Sequence, residues 1–259
     1  MGDRVAIGSI EVDRVTFAGA IDAIDDLIRA RGGGAVFTPN VDHVVLADGH
    51  ETFRNSYRRA SLCVADGMPL VWTARLLGKP VPEKISGSDL VPHLMERAAA
   101  RGYRVYLLGG APGSALEAAR VLRDRQVSIA GIDASMLRDP LDASDRRAIV
   151  DRIRDAAPDL VLVAYGAPKQ ELFIDAVRSE VDAVLIGVGA TLDFIAGRVP
   201  RAPGWMSRHG LEWLYRLFRE PRRLWRRYLV RDPRFALIVA RMLMGRRVAL
   251  PTARTARLS

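Results

Sequence analysis

Leu160-Val161-Leu162-Val163-Ala164-Tyr165-Gly166-Ala167-Pro168-Lys169-Gln170-Glu171, continuing through Leu172 to Val181, decides the fold. Five apolar residues, too few for a helix, run into a turn of glycine and proline, and a stretch of helical period and length follows. A strand that is apolar on both faces must be covered on both faces, the condition of a buried parallel strand. The rhythm recurs along the chain. Ala35-Val36-Phe37 leads into Thr38-Pro39-Asn40 and a helical pattern over Val41 to Ala47. Leu62-Cys63-Val64 leads into Ala65-Asp66-Gly67, then Met68 to Leu77. Arg104 to Leu108 leads into Gly109-Gly110-Ala111-Pro112-Gly113, then Ser114 to Arg125. Ala183 to Ile186 leads into Gly187-Val188-Gly189-Ala190, then Thr191 to Ala196. Strands alternating with helices predict an α/β fold: a Rossmann-like, mostly parallel sheet with helices on both faces, filling residues 1–197.

Outward from these units the signals weaken. Val5 to Phe17 alternates in polarity and predicts a hairpin at the sheet edge. Thr16 opens a helix running to about Arg31, which Gly32-Gly33-Gly34 ends. Beyond Arg198 the rhythm stops. Pro200, Pro203, Pro221 and Pro233 divide the remainder into helical pieces over roughly 205–219, 221–231 and 233–247, since proline suits only the first turn of a helix.

Charge divides the chain at the same place. The net charge of +9 over 259 residues conceals two opposite populations. Residues 197–259 carry 16 arginines, no lysine and three acids, a balance of +13, whereas residues 1–196 hold 23 basic against 27 acidic residues, a balance of −4. The tail suits an anionic partner such as lipid headgroups, a pyrophosphate or nucleic acid. Arg216, Arg219, Arg223, Arg226 and Arg227 recur at helical spacing beside Trp205, Trp213, Leu214, Leu217, Phe218, Trp225 and Tyr228. Aromatic residues interleaved with arginine mark an element lying on a membrane surface. The lone Cys63 excludes a disulfide framework and permits the cytoplasm. No apolar run reaches the roughly 18 residues needed to span a bilayer, and the N-terminus shows no signal-peptide pattern.

In open parallel sheets ligands bind beyond the carboxyl ends of the strands, so the turns are the first place to look for chemistry. Asp66, between Ala65 and Gly67, would face that cleft as a general base or metal ligand, or would cap the next helix. Thr38 and Asn40 can bond a phosphate or a sugar hydroxyl, although turns favour such residues anyway. Gly109-Gly110-Ala111-Pro112-Gly113 is a plausible phosphate cradle, but neither GxGxxG nor a Walker loop. Lys169, Gln170 and Glu171 open a helix whose N-terminus attracts anions; Glu171 could be a cap, and Gln170 has less structural excuse. Asp193 could bind a ribose or base edge, or could cap. His43, His50, His93 and His209 have no ligand-like spacing, and with one cysteine there is no zinc pattern. No Asp-x-Asp motif of metal-dependent sugar transferases and no Gly-x-Ser-x-Gly elbow occurs.

Taken in order, these segments resemble the WecG/TagA/CpsF family of glycosyltransferases, glycosyltransferase family 26. The matching blocks are Thr38-Pro39-Asn40, Ala65-Asp66-Gly67-Met68-Pro69, Lys84-Ile85-Ser86-Gly87-Ser88-Asp89, Leu107-Leu108-Gly109-Gly110, Gly166-Ala167-Pro168-Lys169-Gln170-Glu171 and Gly187-Val188-Gly189-Ala190-Thr191-Leu192-Asp193-Phe194. Gly197, Arg198, Pro200 to Pro203 and Gly210-Leu211-Glu212-Trp213 continue the series, which spans about residues 35–230.

The resemblance implies an inverting, metal-independent enzyme of cell-surface polysaccharide biosynthesis. It would move a sugar, N-acetylmannosamine-type or hexose, from a UDP-sugar to a polyprenyl-diphosphate-linked acceptor. Asp66 would be the base on the acceptor hydroxyl, Thr38 and Asn40 would place the donor, Gln170 would hold it, and Asp193 would lie near the nucleoside. The basic segment 198–259 would bring Arg216, Arg219, Arg223 and Arg226 over the site at the cytoplasmic membrane surface. No cofactor or metal is implied, and the location implied is cytoplasmic, peripheral to the inner face of the membrane. Lys84 departs from the arginine the family pattern leads one to expect; it keeps the charge but loses the bidentate fork.

A metal-free inverting displacement needs a base and positive charge on the departing diphosphate. Asp66 can supply the first, and Lys84, Gly109-Gly110 and the tail arginines the second. Two other classes compete. A dinucleotide-dependent oxidoreductase would need GxGxxG with an acid about 20 residues later, which Gly109 to Gly113 fits poorly. A non-catalytic basic protein binding nucleic acid or membrane would rest on the tail alone, and the interleaved tryptophans and the acidic core speak against nucleic acid. A homo-oligomer is allowed.

Overall fold

A computed structural model describes residues 3–199, 206, 212–219, 221–225 and 231–248. Its centre is a six-stranded, all-parallel sheet of β3 (Gly34–Phe37), β4 (Leu62–Cys63), β5 (Arg104–Gly109), β6 (Ser128–Asp133), β7 (Leu160–Ala164) and β8 (Val184–Gly187), in the order β4-β3-β8-β7-β5-β6. The expected strand–turn–helix units are all present. The expected hairpin is there too, as β1 (Arg4–Ile7) and β2 (Ile10–Asp13), but it forms a two-stranded sheet of its own. Asp13 fastens it to the main sheet by accepting from the Cys63 backbone N–H at 2.8 Å, and accepts within the hairpin from Arg4 Nε at 2.8 Å.

The strands are apolar on both faces, and successive residues divide between two cores as a period of two requires. Ala35 and Phe37, Val161 and Val163, and Leu185 point into one core with the hairpin, α2 (Val41–Gly49), α3 (Glu51–Arg58), α7 (Ala143–Ala156) and α8 (Lys169–Val177). Val36, Leu160, Leu162, Val184 and Ile186 point into the other, with α1 (Phe17–Ala30), α5 (Gly87–Arg101) and α6 (Ser114–Asp124). Thr16 caps α1 as expected, its side chain accepting from the Gly19 N–H. Short α9 (Thr191–Ile195) joins the second core through Leu192.

This division creates the clefts. Neighbouring strands β3 and β8 are followed by α2 on one face and α9 on the other. Neighbours β7 and β5 are likewise followed by α8 and α6 on opposite faces. Where chain segments leave adjacent strands in opposite directions a crevice opens at the carboxyl ends.

The described tail contains α10 (Glu212–Arg219), α11 (Pro221–Trp225) and α12 (Arg234–Val248). The last is anchored to the core. Ile238 is 6% exposed within the first cluster, the Gly8 N–H donates to Met242 Sδ at 3.0 Å, and Arg231 Nη1 donates to Asp42 Oδ1 at 2.9 Å. Among the described residues no helix is long and apolar enough to cross a membrane.

Candidate active site

The β3–β4 corner gathers the polar residues expected to carry chemistry. Asp66 follows β4 and is half-buried; its backbone N–H donates to Pro39 O at 2.9 Å, tying the two turns edge to edge. The helix after it, α4 (Met68–Leu76), has its N-cap at Gly67, so Asp66 is not the cap residue. Gly67 has φ +120°, a backbone that side-chain-bearing residues rarely adopt, and this turns the chain sharply after the carboxylate. Beside it, the Ile85 N–H donates to Ala65 O at 2.8 Å, laying Lys84 along the edge next to Asp66. Lys84 Nζ lies 3.4 Å from Asp89 Oδ2, and Asp89 is also held by Ser86 Oγ at 2.6 Å.

Thr38 and Asn40 stand on the adjoining turn, in different roles. Asn40 is the N-cap of α2, its Oδ1 accepting from the Asp42 N–H at 3.1 Å. Thr38 is buried, 3.5 Å from where a Cβ on Gly87 would stand, and Thr191 Oγ1 is 3.8 Å from the same point. The first turn of α5, capped by Ser86, thus meets the ends of β3 and β8. The segments that carry Thr38, Asn40, Asp66 and Lys84 thus adjoin at one corner of the sheet.

At the β8–β7–β5 corner the polar groups are consumed internally. Gln170 is 4% exposed. Its Oε1 accepts from the Gly166 N–H at 3.2 Å and the Gly189 N–H at 3.0 Å, and its Nε2 donates to Glu171 Oε1 at 2.8 Å. It clamps the β7–α8 turn to the β8–α9 turn. Glu171 is fully buried, with Oε2 lacking a hydrogen-bond partner. Burial pushes its carboxyl from 4.5 up to about 7, opposed by the hydrogen bonds from Gln170 and its own backbone N–H and helped by the Asp42 charge. Lys169 Nζ donates to Leu137 O at 3.1 Å, gripping the loop after β6.

The glycine-rich turn is held in the same way. The Ala111 N–H donates to Asp193 Oδ1 at 3.3 Å, and Arg198 Nη1 donates to Pro112 O. Gly109, at φ +83°, lies so close to Tyr165 that a Cβ would meet its ring at 2.9 Å. Packing and backbone shape account for this glycine without a ligand.

Two polar features escaped the sequence reading. Asp133, 6% exposed at the end of β6, accepts from the Ser135 N–H at 2.8 Å and from Arg152 Nε and Nη2 at 2.9 and 2.7 Å. Burial works against its ionisation, yet the Ser135 and Arg152 hydrogen bonds hold its carboxyl below the ordinary value. An acid closing the strand after a glycine-rich turn was the available signal. The second feature is the Asp42–Arg231 pair, which joins α2 to the tail and had no local signal. Of the tail arginines, Arg219 is exposed at the end of α10. The side chains of Arg216 and Arg223, and all of Arg226, lie outside the described residues. Among the described residues no cluster of three His, Cys, Asp or Glu could hold a metal ion.

Residues 5–249 match the model of the glycosyl transferase WecG/TagA/CpsF family. A curated relative, the N-acetylglucosaminyldiphosphoundecaprenol N-acetyl-beta-D-mannosaminyltransferase of Bacillus spizizenii, is 38% identical over 173 residues, 66% of this chain and 65% of the relative. The match thus spans just under two thirds of that relative's length. The chain belongs to the WecG/TagA/CpsF family.

Proposed function

Because the chain belongs to this family, we propose that it transfers a sugar, N-acetylmannosamine-type or hexose, from a UDP-sugar to a polyprenyl-diphosphate-linked saccharide during cell-surface polysaccharide synthesis. Support comes from the family match and from the relative, whose name records transfer of N-acetylmannosamine to N-acetylglucosaminyldiphosphoundecaprenol. The observation that carries the proposal is Asp66: a half-buried carboxylate at a strand's carboxyl end, on a turn bonded to the neighbouring turn, with Lys84 alongside.

In the proposed reaction the acceptor hydroxyl attacks the anomeric carbon from the side opposite the diphosphate. The bond from that carbon to the diphosphate oxygen breaks, and Asp66 takes the hydroxyl proton. A positioned base of this kind contributes roughly 10²–10⁴ in rate. Lys84, Gly109-Gly110 and the tail arginines Arg216, Arg219, Arg223 and Arg226 meet the charge developing on the leaving group. Thr38 and Asn40 line the donor sugar. Gln170 and Asp193 act at one remove, by fixing the turns on which the donor rests. No metal is assigned a step.

The domain division is part of the proposal: a core of residues 1–197 and an arginine-rich appendage, 198–259, that attaches peripherally to the inner face of the cytoplasmic membrane. It is supported by the bond from Arg231, just before α12, to Asp42 of α2 and by Ile238 of α12 in the first core cluster. Transfer from a panel of UDP-sugars to undecaprenyl-diphosphate-N-acetylglucosamine in vesicles tests the function. One donor is expected to be used above the others, and no transfer from any of them would end the proposal.

A further inference from the structure

Helix α4 starts two residues after Asp66, and one of its faces is bare. Met68, Trp72 and Leu76 recur at intervals of four, the spacing that places residues on one side of a helix, with Arg75 beside them and Lys79 in the turn that follows the helix. Trp72 is 52% and Leu76 66% exposed, and Arg75 and Lys79 are exposed as well. The opposite face is spent on the core, where Leu70, Thr73 and Ala74 are buried. Between Asp66 and Glu83 the chain has no acidic residue, so this segment's own charges are all positive.

An exposed tryptophan and leucine one turn apart would ordinarily be covered in a soluble domain. Flanking cations narrow the choice of cover. An indole at headgroup depth, an aliphatic residue below it and basic side chains reaching phosphates are the chemistry of a helix lying in an anionic bilayer surface. We propose that the Met68–Trp72–Leu76 face of α4, with Arg75 and Lys79, docks on an anionic lipid bilayer, independently of the arginine-rich tail. The proposal rests on the reading of the acceptor as lipid-linked. Nine residues of α4 span roughly 13 Å, so docking along this face holds the Asp66 turn at headgroup depth, where a polyprenyl-linked diphosphate presents its sugar.

The test uses the full chain and vesicles of phosphatidylethanolamine with phosphatidylglycerol, with phosphatidylcholine vesicles as the neutral control. Trp72→Ser combined with Leu76→Ser is expected to lower co-sedimentation with the anionic vesicles about tenfold. Arg75→Glu combined with Lys79→Glu is expected to do the same and to flatten the dependence on phosphatidylglycerol. Both variants should transfer to a short-chain, water-soluble acceptor as the wild type does and lose transfer to a vesicle-borne one. Unchanged vesicle binding by both variants overturns the proposal. So does a drop from dimer to monomer in sedimentation with vesicle binding intact, which would assign the face to a second copy. Wild-type protein that docks through α4 but transfers no sugar would refute the function and leave the surface standing.

Discussion

The two halves of the sheet's carboxyl edge contain similar residues and use them differently. In the β3–β4 half, Asp66 and Lys84 stand half-buried on two segments joined by the bond from the Ile85 N–H to Ala65 O. In the β8–β7–β5 half, Gln170 bonds Gly166, Gly189 and Glu171, while Asp193 bonds Ala111 across the crevice. In the proposed reaction the first half meets the substrate, while the second keeps two turns in register. Turn position alone does not separate them; burial does, since Gln170 is 4% exposed whereas Asp66 and Lys84 are half-buried.

The sharpest way to break this comparison is Asp66→Asn. The amide keeps the shape and loses the basicity, so turnover should fall about 10³-fold while the melting temperature stays near wild type. A cooperative loss of stability instead would move Asp66 into the scaffold half. Next in size is the pH dependence contributed by Glu171. Its folded-state pKa lies above its unfolded value, so its contribution to stability is complete below about 4.5 and is lost as pH rises to about 7. The span corresponds to about 3 kcal/mol. Chemical denaturation across that window should show wild-type stability declining, and Glu171→Gln should remove the decline. A variant that keeps the slope would trace it to other groups.

Gln170→Ala leaves two turn N–H groups and the Glu171 carboxyl without their partner, and should cost about 2 kcal/mol. Denaturant midpoints would register it, with kcat/KM falling less than for Asp66→Asn. Full stability with abolished turnover would place Gln170 in the chemical half. Smallest is Asp193→Ala, which removes one long hydrogen bond to Ala111 and should lower stability by about 1 kcal/mol, with donor KM rising a few-fold. An unchanged KM would separate the glycine-rich turn from donor binding.

How much of this was legible follows from the same contrast. Strands such as Leu160–Ala164 are apolar at every position because both faces are covered, and that pattern survives in one dimension. The edge strand Ser128–Asp133 is only partly buried and contains Gly131, so no apolar run marked it. Helices Glu51–Arg58 and Ala143–Ala156 are polar over most of their surface and were passed over for that reason. The hairpin was visible, but the bond that fastens it to the main sheet reaches from Asp13 to the Cys63 N–H, 50 residues away. Asp66, Thr38 and Asn40 could be placed together because turns after parallel strands share one edge, whereas Lys84, which follows no strand, came from the family resemblance alone. The bonds of Gln170 to Gly189 and of Asp193 to Ala111 were not legible, because those partners lie 19 and 82 residues distant.

The account's central claim is a single displacement assisted by a carboxylate, without metal. The most direct measurement is the anomeric configuration of the transferred sugar, read by NMR on product made in EDTA from an α-linked UDP-sugar. A β-linked product at undiminished rate is the result the account predicts. An α-linked product, or a reaction that stops until a divalent ion is restored, would contradict it.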